Sequence, residues 1–208
     1  MIHALLFDFW DTLAYIPEYT QLKRINKEVF GDTRYHQARH IFFQAHTHPW
    51  SIEEFVDMVD REIQATEEEK RLLYEWMKFD TFAVYNDTID TLRFFKEKGY
   101  RLGIVSNAPM STREKIQHLG IDAYVDTIII SCEVGYVKPA KEIFYTACTA
   151  LQVKPEETVM IGDKVETDML GAKNAGMRGI RIDREGREDY TPTVRTLKEL
   201  WNHPFIFE

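Results

Sequence analysis

The chain has 208 residues, enough for one α/β domain, alone or with a modest insertion, and enough to bury a continuous core. Hydrophobic residues make up 44% and charged residues 29%, which excludes an intrinsically disordered chain. With 34 acidic against 26 basic side chains the net charge is -8, and such a field repels phosphate, which argues against nucleic acid or an anionic membrane as the main partner.

In chain order, Ala4-Leu5-Leu6-Phe7 is a short apolar run of the kind that forms a central parallel strand covered on both faces, and it ends at Asp8. The N-terminus reaches that carboxylate before any signal-peptide apolar region forms, and no run of about eighteen apolar residues follows elsewhere, so the expected location is the cytoplasm. From about Tyr15 to Val84 the pattern is helical. Phe55, Met58, Val59 and Ile63 share one face, as do Leu72, Leu73, Trp76 and Met77, and Phe42, Phe43 and Phe55 read as its aromatic core. This segment, 15–84, is expected to be a helical insertion, with 1–14 and 85–208 forming the α/β core. After Asn86, strand and helix alternate regularly. A helix over Thr88–Lys98 precedes a strand over Arg101–Ser106, and a helix over Ser111–Leu119 precedes a strand over Thr127–Ile130. A helix over Ala140–Leu151, a strand over Thr158–Ile161, a helix over Val165–Ala175 and a strand over Arg178–Ile182 complete the series. Short connections between alternating elements imply right-handed crossovers and a doubly wound parallel sheet. The apolar ending, Trp201–Glu208, is expected to pack down. Cys132 and Cys148 stand apart without a Cys/His cluster, so buried thiols are expected rather than a disulfide or a zinc site.

Ligands of doubly wound sheets lie beyond the carboxyl ends of the strands. Those ends carry Asp8, then Ser106-Asn107, then Lys138-Pro139 after the third strand, and Gly162-Asp163 with Asp168 five residues on. Three carboxylates, a hydroxyl and an ammonium converging on one crevice suit a hard cation such as Mg²⁺ together with a phosphoryl group. Ser106 and Lys138 are placed to hold phosphoryl oxygens.

The same segments, in the same order, resemble the four signature motifs of the haloacid-dehalogenase-like superfamily. Asp8-Phe9-Trp10-Asp11-Thr12-Leu13 is similar to its first motif, D-x-D-x-T-L; Val105-Ser106-Asn107 to its second; Lys138-Pro139 to its third; and Gly162-Asp163 through Asp168 to its fourth, G-D-x-x-x-D, with one residue more between the two Asp. The resemblance implies a Rossmann-like core with a helical cap inserted after the first motif. It implies Asp8 as a nucleophile that forms a covalent aspartyl intermediate, and in phosphatase branches a Mg²⁺ held by Asp8, the Trp10 main-chain carbonyl and Asp163, with Asp168 acting directly or through water. Thr12, Ser106 and Asn107 are expected to contact a small phosphorylated substrate, and Lys138 to stabilise both nucleophile and transferring group.

Trp10 departs from the pattern, because phosphatase branches place there a second Asp that protonates the leaving group. Indole has one donor and no exchangeable base, so it cannot replace a general acid worth typically about 10²–10⁴-fold in rate. Asp11 is expected to point away, since neighbours on an extended segment face opposite sides. A cap histidine, His36, His40, His46 or His48, could supply an acid. The alternative is a metal-independent 2-haloacid dehalogenase, whose members carry an aromatic residue at this position and a cap arginine at roughly the place of Arg39; a weakly active binding or regulatory protein is a third. Asp163 beside Asp168 favours metal-dependent phosphoryl chemistry, because like charges this close need a cation.

Overall fold

The unbroken apolar run at the N-terminus forms β1 (Ala4–Phe7), with all four residues buried, because both faces of its sheet are covered. The computed structural model describes residues 1–17, 19–78, 82–186 and 190–207, and their side chains apart from those of 19–29, 32 and 76. After β1 come β2 (Ala14–Tyr15), α1 (Tyr19–Gln44), α2 (Ile52–Ile63), α3 (Glu67–Lys78) and β3 (Ala83–Val84). The alternating part contains α4 (Thr88–Glu97), β4 (Arg101–Ser106), α5 (Ser111–His118), β5 (Thr127–Ile130), α6 (Ser131–Val134) and α7 (Lys141–Leu151). It continues with β6 (Thr158–Gly162), α8 (Leu170–Asn174), β7 (Arg178–Ile182), β8 (Thr193–Val194) and α9 (Pro204–Phe207).

Six strands form one sheet in the order β5-β4-β1-β6-β7-β8, and every pairing within it is parallel. The chain builds outward from β1 through β4 to β5 and then crosses to β6, so the strand order reverses beside β1, where ligands of such sheets bind. Side chains alternate across the sheet as a period of two requires. Leu5, Phe7, Leu102, Ile104, Val159 and Ile161 enter one apolar cluster, while Leu6, Val105 and Met160 enter the cluster on the opposite face.

A third cluster, including Phe30, Ile41, Phe42, Phe55, Val59, Ile63, Leu73 and Met77, draws its residues from α1, α2, α3 and the loops joining them. α2 starts at a capping box in which Ser51 and Glu54 satisfy each other's amides. The pairing of β2 with β3 is antiparallel, Ala14 opposite Val84, and forms the ribbon through which the chain leaves for α1 and returns after α3.

Three expectations are corrected, and one strand is added. Phe43 is 61% exposed while Phe42 is buried, because adjacent helical residues point about 100° apart and only one can face a given core; Trp76's side chain lies outside the described residues. The helix expected over Val165–Ala175 opens instead as a π turn, Val165–Met169, before α8. The strand expected to end at Ile161 runs on to Gly162. β8 was not foreseen, since two residues carry no periodic pattern. The chain ending does pack, with Ile206 buried and Trp201 stacked on Phe94 of α4 at 4.7 Å between ring centroids.

Candidate active site

Asp8 follows β1 directly and extends its ladder, donating its N–H to Ile161 O at 2.8 Å, with the residue only 6% exposed. The chain then turns back on itself: Leu13 and Ala14 donate their N–H groups to Phe9 O at 2.9 and 3.0 Å. Asp11 sits inside this turn with φ of 59°. The segment is therefore not extended, and the expectation that Asp11 faces away by strand alternation rests on the wrong geometry. Asp11 lies instead near Tyr85, whose hydroxyl is pushed up to about 12 by burial first and by the Asp11 charge second. Thr12 is fully buried, and its Oγ1 has no hydrogen-bond partner among the described residues.

Lys138 reaches in from the loop before α7. Its Nζ donates to Asp8 Oδ1 at 2.7 Å and lies 2.6 Å from Asp168 Oδ1. Burial alone would lower this ammonium, but the carboxylates of Asp168 and Asp8 outweigh it and its pKa is raised. Lys138 is held in place by Asn107, whose Nδ2 donates to Lys138 O at 2.9 Å and whose Oδ1 accepts from Lys138 N at 2.7 Å. Asn107, expected to contact substrate, thus also positions the lysine, and it lines the pocket. Ser106, at the end of β4, is 1% exposed and lies in the pocket wall beside Asp8.

The fourth strand end brings Asp163 and Asp168 to the same place. Ligand oxygens of Asp8, Asp163 and Asp168 all lie within 4.8 Å of one another. The π turn tucks Asp168 back under β6, where its Oδ2 accepts from Lys164 N at 3.0 Å. Only glycine permits this at position 162: a Cβ there would stand 2.4 Å from Asp168 Oδ2 and 2.7 Å from Asp168 Cβ. Gly162→Ala is therefore expected to push Asp168 off Lys138 and to weaken divalent-cation affinity by about 10–100-fold, the usual cost of losing an orienting partner. Titration calorimetry checks this, and unchanged affinity would remove Asp168 from the account.

The ammonium of Lys138 pairs with Asp8 and Asp168, while the charge of Lys164 pulls on Asp163. Burial, followed by the charge of Asp8, pushes Asp163 up to about 7. Burial also holds Asp168 above the ordinary carboxylate range, against the pull of Lys138. Asp163 Oδ1 is buried with no hydrogen-bond partner among the described residues. Buried polar oxygens are normally satisfied, and a cluster of hard oxygens with excess negative charge and a spare acceptor fits a small divalent cation.

Asp8, Trp10, Ser106, Asn107, Lys138, Lys164 and Thr167 line a pocket of about 80 Å³. Trp10, packed edge-on against Phe9 with centroids 4.6 Å apart, forms part of the wall. Sequence reading missed Lys164 and Thr167; both lie inside the fourth motif at its variable positions, where spacing to Asp163 was the only available signal. Arg39 is exposed on α1 and is not among these lining residues. His36, His40 and His48 are not deeply buried, whereas burial lowers His46, with the charge of Lys164 adding in the same direction. Of the four histidines, His46 is thus the one that feels the charge of the pocket wall, through Lys164. None of the described helices is long and apolar enough to cross a membrane.

The chain resembles known proteins over most of its length. Glyceraldehyde 3-phosphate phosphatase of Methanopyrus kandleri is 32% identical over 210 aligned residues, covering 92% of this chain and 88% of that protein. The protein of the same name from Methanothermobacter thermautotrophicus is 41% identical over 126 residues, which span 57% of this chain and little more than half, 56%, of that relative. A crystal structure of a HAD phosphatase from Thermococcus onnurineus superposes with a TM-score of 0.68 at 29% identity, covering 96% of each chain. The profile of the haloacid dehalogenase-like hydrolases matches residues 2–176, the span that carries all four strand-end motifs. With that profile covering most of its length and the strand ends converging as described, the chain belongs to the haloacid dehalogenase-like hydrolases.

Proposed function

We propose that this hydrolase is a Mg²⁺-dependent phosphatase of a small phosphorylated metabolite, working through an aspartyl-phosphate on Asp8, with residues 15–84 as a helical cap over a core of 1–14 and 85–208. The observation that carries the reading is the cluster of buried Asp8 and Asp168 with half-buried Asp163, in which Lys138 pairs with Asp8 and Asp168 while Asp163 Oδ1 has no hydrogen-bond partner among the described residues. A 2-haloacid dehalogenase needs no such excess of negative charge, and Arg39 is not in the pocket wall. The names of the similar phosphatases make glyceraldehyde 3-phosphate the first metabolite to try.

Asp8 and Asp163, with the Trp10 carbonyl, are the groups that would hold the cation. Asp168, paired with Lys138 and with Lys164 N, would act on it through water. A bound Mg²⁺ supplies neutralisation of the phosphoryl oxygens and orientation of the group. Asp8 attacks phosphorus in line, forming a carboxylate–phosphorus bond while the ester P–O bond breaks. Lys138 offsets the charge that gathers between nucleophile and phosphoryl oxygens. The leaving oxygen takes its proton from solvent; water then attacks phosphorus and loses a proton to solvent as the Asp8 O–P bond breaks, releasing phosphate and restoring Asp8. Because Trp10 gives the leaving group no proton, esters of acidic alcohols are hydrolysed fastest. Assaying an aryl phosphate with Mg²⁺ and with EDTA tests this: hydrolysis that requires the metal supports it, and metal-independent chloride release from 2-chloropropionate overturns it.

The cation has a stability signature. In the metal-free protein Asp163 titrates at about 7, above its unfolded range. Its contribution to stability is therefore full only below about pH 4 and is lost as pH rises through about 7. Mg²⁺ binds the carboxylate form, so saturating Mg²⁺ should raise Tm by roughly 5–10 °C at about pH 8 and by much less at about pH 5. Equal shifts at both pH values, read by thermal denaturation, would count against Asp163 as a ligand.

A further inference from the structure

Two arginines at the end of β7 reach under the site from behind. Arg181, 3% exposed, donates Nε–H to Asp163 O at 3.1 Å. Arg184 donates Nη2–H to Thr12 O at 2.9 Å. Each guanidinium thus holds a main-chain carbonyl in one of the two turns that carry the acidic side chains. We propose that Arg181 and Arg184 are positioning residues, a paired clamp on the Asp163 and Thr12 carbonyls that keeps the turn after Asp8 registered against the turn carrying Asp163. The proposal rests on the phosphatase reading only in taking Asp8 and Asp163 as one reaction centre.

The surroundings of Arg184 show why it is arginine. Its Nη1 and Nη2 meet Asp87 Oδ2 and Oδ1 at 3.1 and 3.0 Å, and its plane lies over the Tyr85 ring at 3.6 Å. Asp87 Oδ2 also accepts from Leu197 N at 2.8 Å. The fork therefore joins the nucleophile turn, the start of α4 and the segment after β8. A lysine, a point donor without a planar fork, cannot hold the bidentate carboxylate and a carbonyl in this arrangement. The clamp also sits at the root of the β2–β3 ribbon. Leu13 O accepts from Tyr85 N at 3.1 Å and from Thr88 Oγ1 at 2.6 Å, and the next residue, Ala14, pairs with Val84. Any motion carried along the ribbon reaches the nucleophile turn at the place Arg184 pins. Misplacing a reacting group by about 1 Å can cost about 10²-fold in rate, so a clamp here acts on kcat rather than on substrate affinity.

The test uses Arg184→Lys, which keeps the charge and loses the fork, and the double variant Arg184→Met with Asp87→Asn. The double variant removes the ion pair without leaving a buried, unpaired carboxylate that could prevent folding. Steady-state kinetics on an aryl phosphate with Mg²⁺ is combined with hydrogen exchange of the Leu13 and Ala14 amides. The clamp predicts that kcat falls about tenfold or more while KM stays within about threefold, and that the two amides exchange about tenfold faster while Ile104 in β4 is unchanged. Faster exchange with unchanged kcat would make the arginine merely structural and overturn the proposal, and so would a lower kcat with unchanged exchange. If the wild-type protein hydrolyses no phosphoester, the functional reading fails on its own. The clamp is then decided by exchange alone: unchanged turn amides in both variants overturn it.

Discussion

Asp8→Asn is expected to fold normally and to lose at least about 10³-fold of kcat on any phosphoester the wild type hydrolyses, because the proposed covalent intermediate forms on the Asp8 carboxylate. The amide introduced by that substitution keeps an oxygen that can accept from Lys138, and Lys138 keeps its ion pair with Asp168 at 2.6 Å, so the lysine is not stranded. The substitution also removes one of three mutually repelling carboxylates, and with it the Asp8 charge that, after burial, is the largest cause pushing Asp163 up to about 7. Without Mg²⁺ the variant should therefore have a Tm equal to or above the wild type. Loss of turnover with retained Tm identifies a nucleophile; loss of both would identify Asp8 as a fold residue.

The second large effect is a gain. Trp10→Asp restores a carboxylate in the pocket wall where the indole now stands, and turnover of alkyl phosphates should rise by about 10²-fold, with a much smaller change for aryl phosphates that need no proton. Burial beside Asp8 and Asp163 would raise the new carboxyl, which suits an acid working near neutral pH. The cost is lost packing of a half-buried indole against Phe9, roughly 1–3 kcal/mol of stability. Measuring kcat on one alkyl and one aryl phosphate separates the outcomes. A uniform change on both esters would show that position 10 sets access or packing rather than proton supply.

The residues proposed to carry the chemistry can be picked out in the sequence because they end apolar runs. Asp8, Ser106 and Asp163 each stand at the carboxyl end of a buried strand, and a doubly wound sheet gathers such ends at one edge. The roles of their neighbours were not legible. The residue type of Asn107 suits a substrate contact; its further engagement with the Lys138 main chain depends on two loops more than thirty residues apart meeting in space. Asp168 falls at a position that a first-turn carboxylate favours on dipole grounds alone, and spacing gives no hint of the π turn that aims it at Lys138. Arg181 and Arg184 belong to no motif, and they gain meaning only when β7 is paired with β6 and the chain after it folds under the nucleophile turn. The aromatic run at Phe42-Phe43 was over-read, since composition cannot say which of two adjacent helical residues faces the core.

On the proposed mechanism, Asp8 becomes phosphorylated in a metal-dependent reaction. Acid quench during turnover of a phosphoester labelled with ³²P, followed by peptide mapping, tests it directly. The expected result is alkali-labile label on the peptide containing Asp8 when Mg²⁺ is present, with none when EDTA replaces the metal and none in Asp8→Asn. Phosphate release without label on that peptide, or label that persists in Asp8→Asn, would contradict the account.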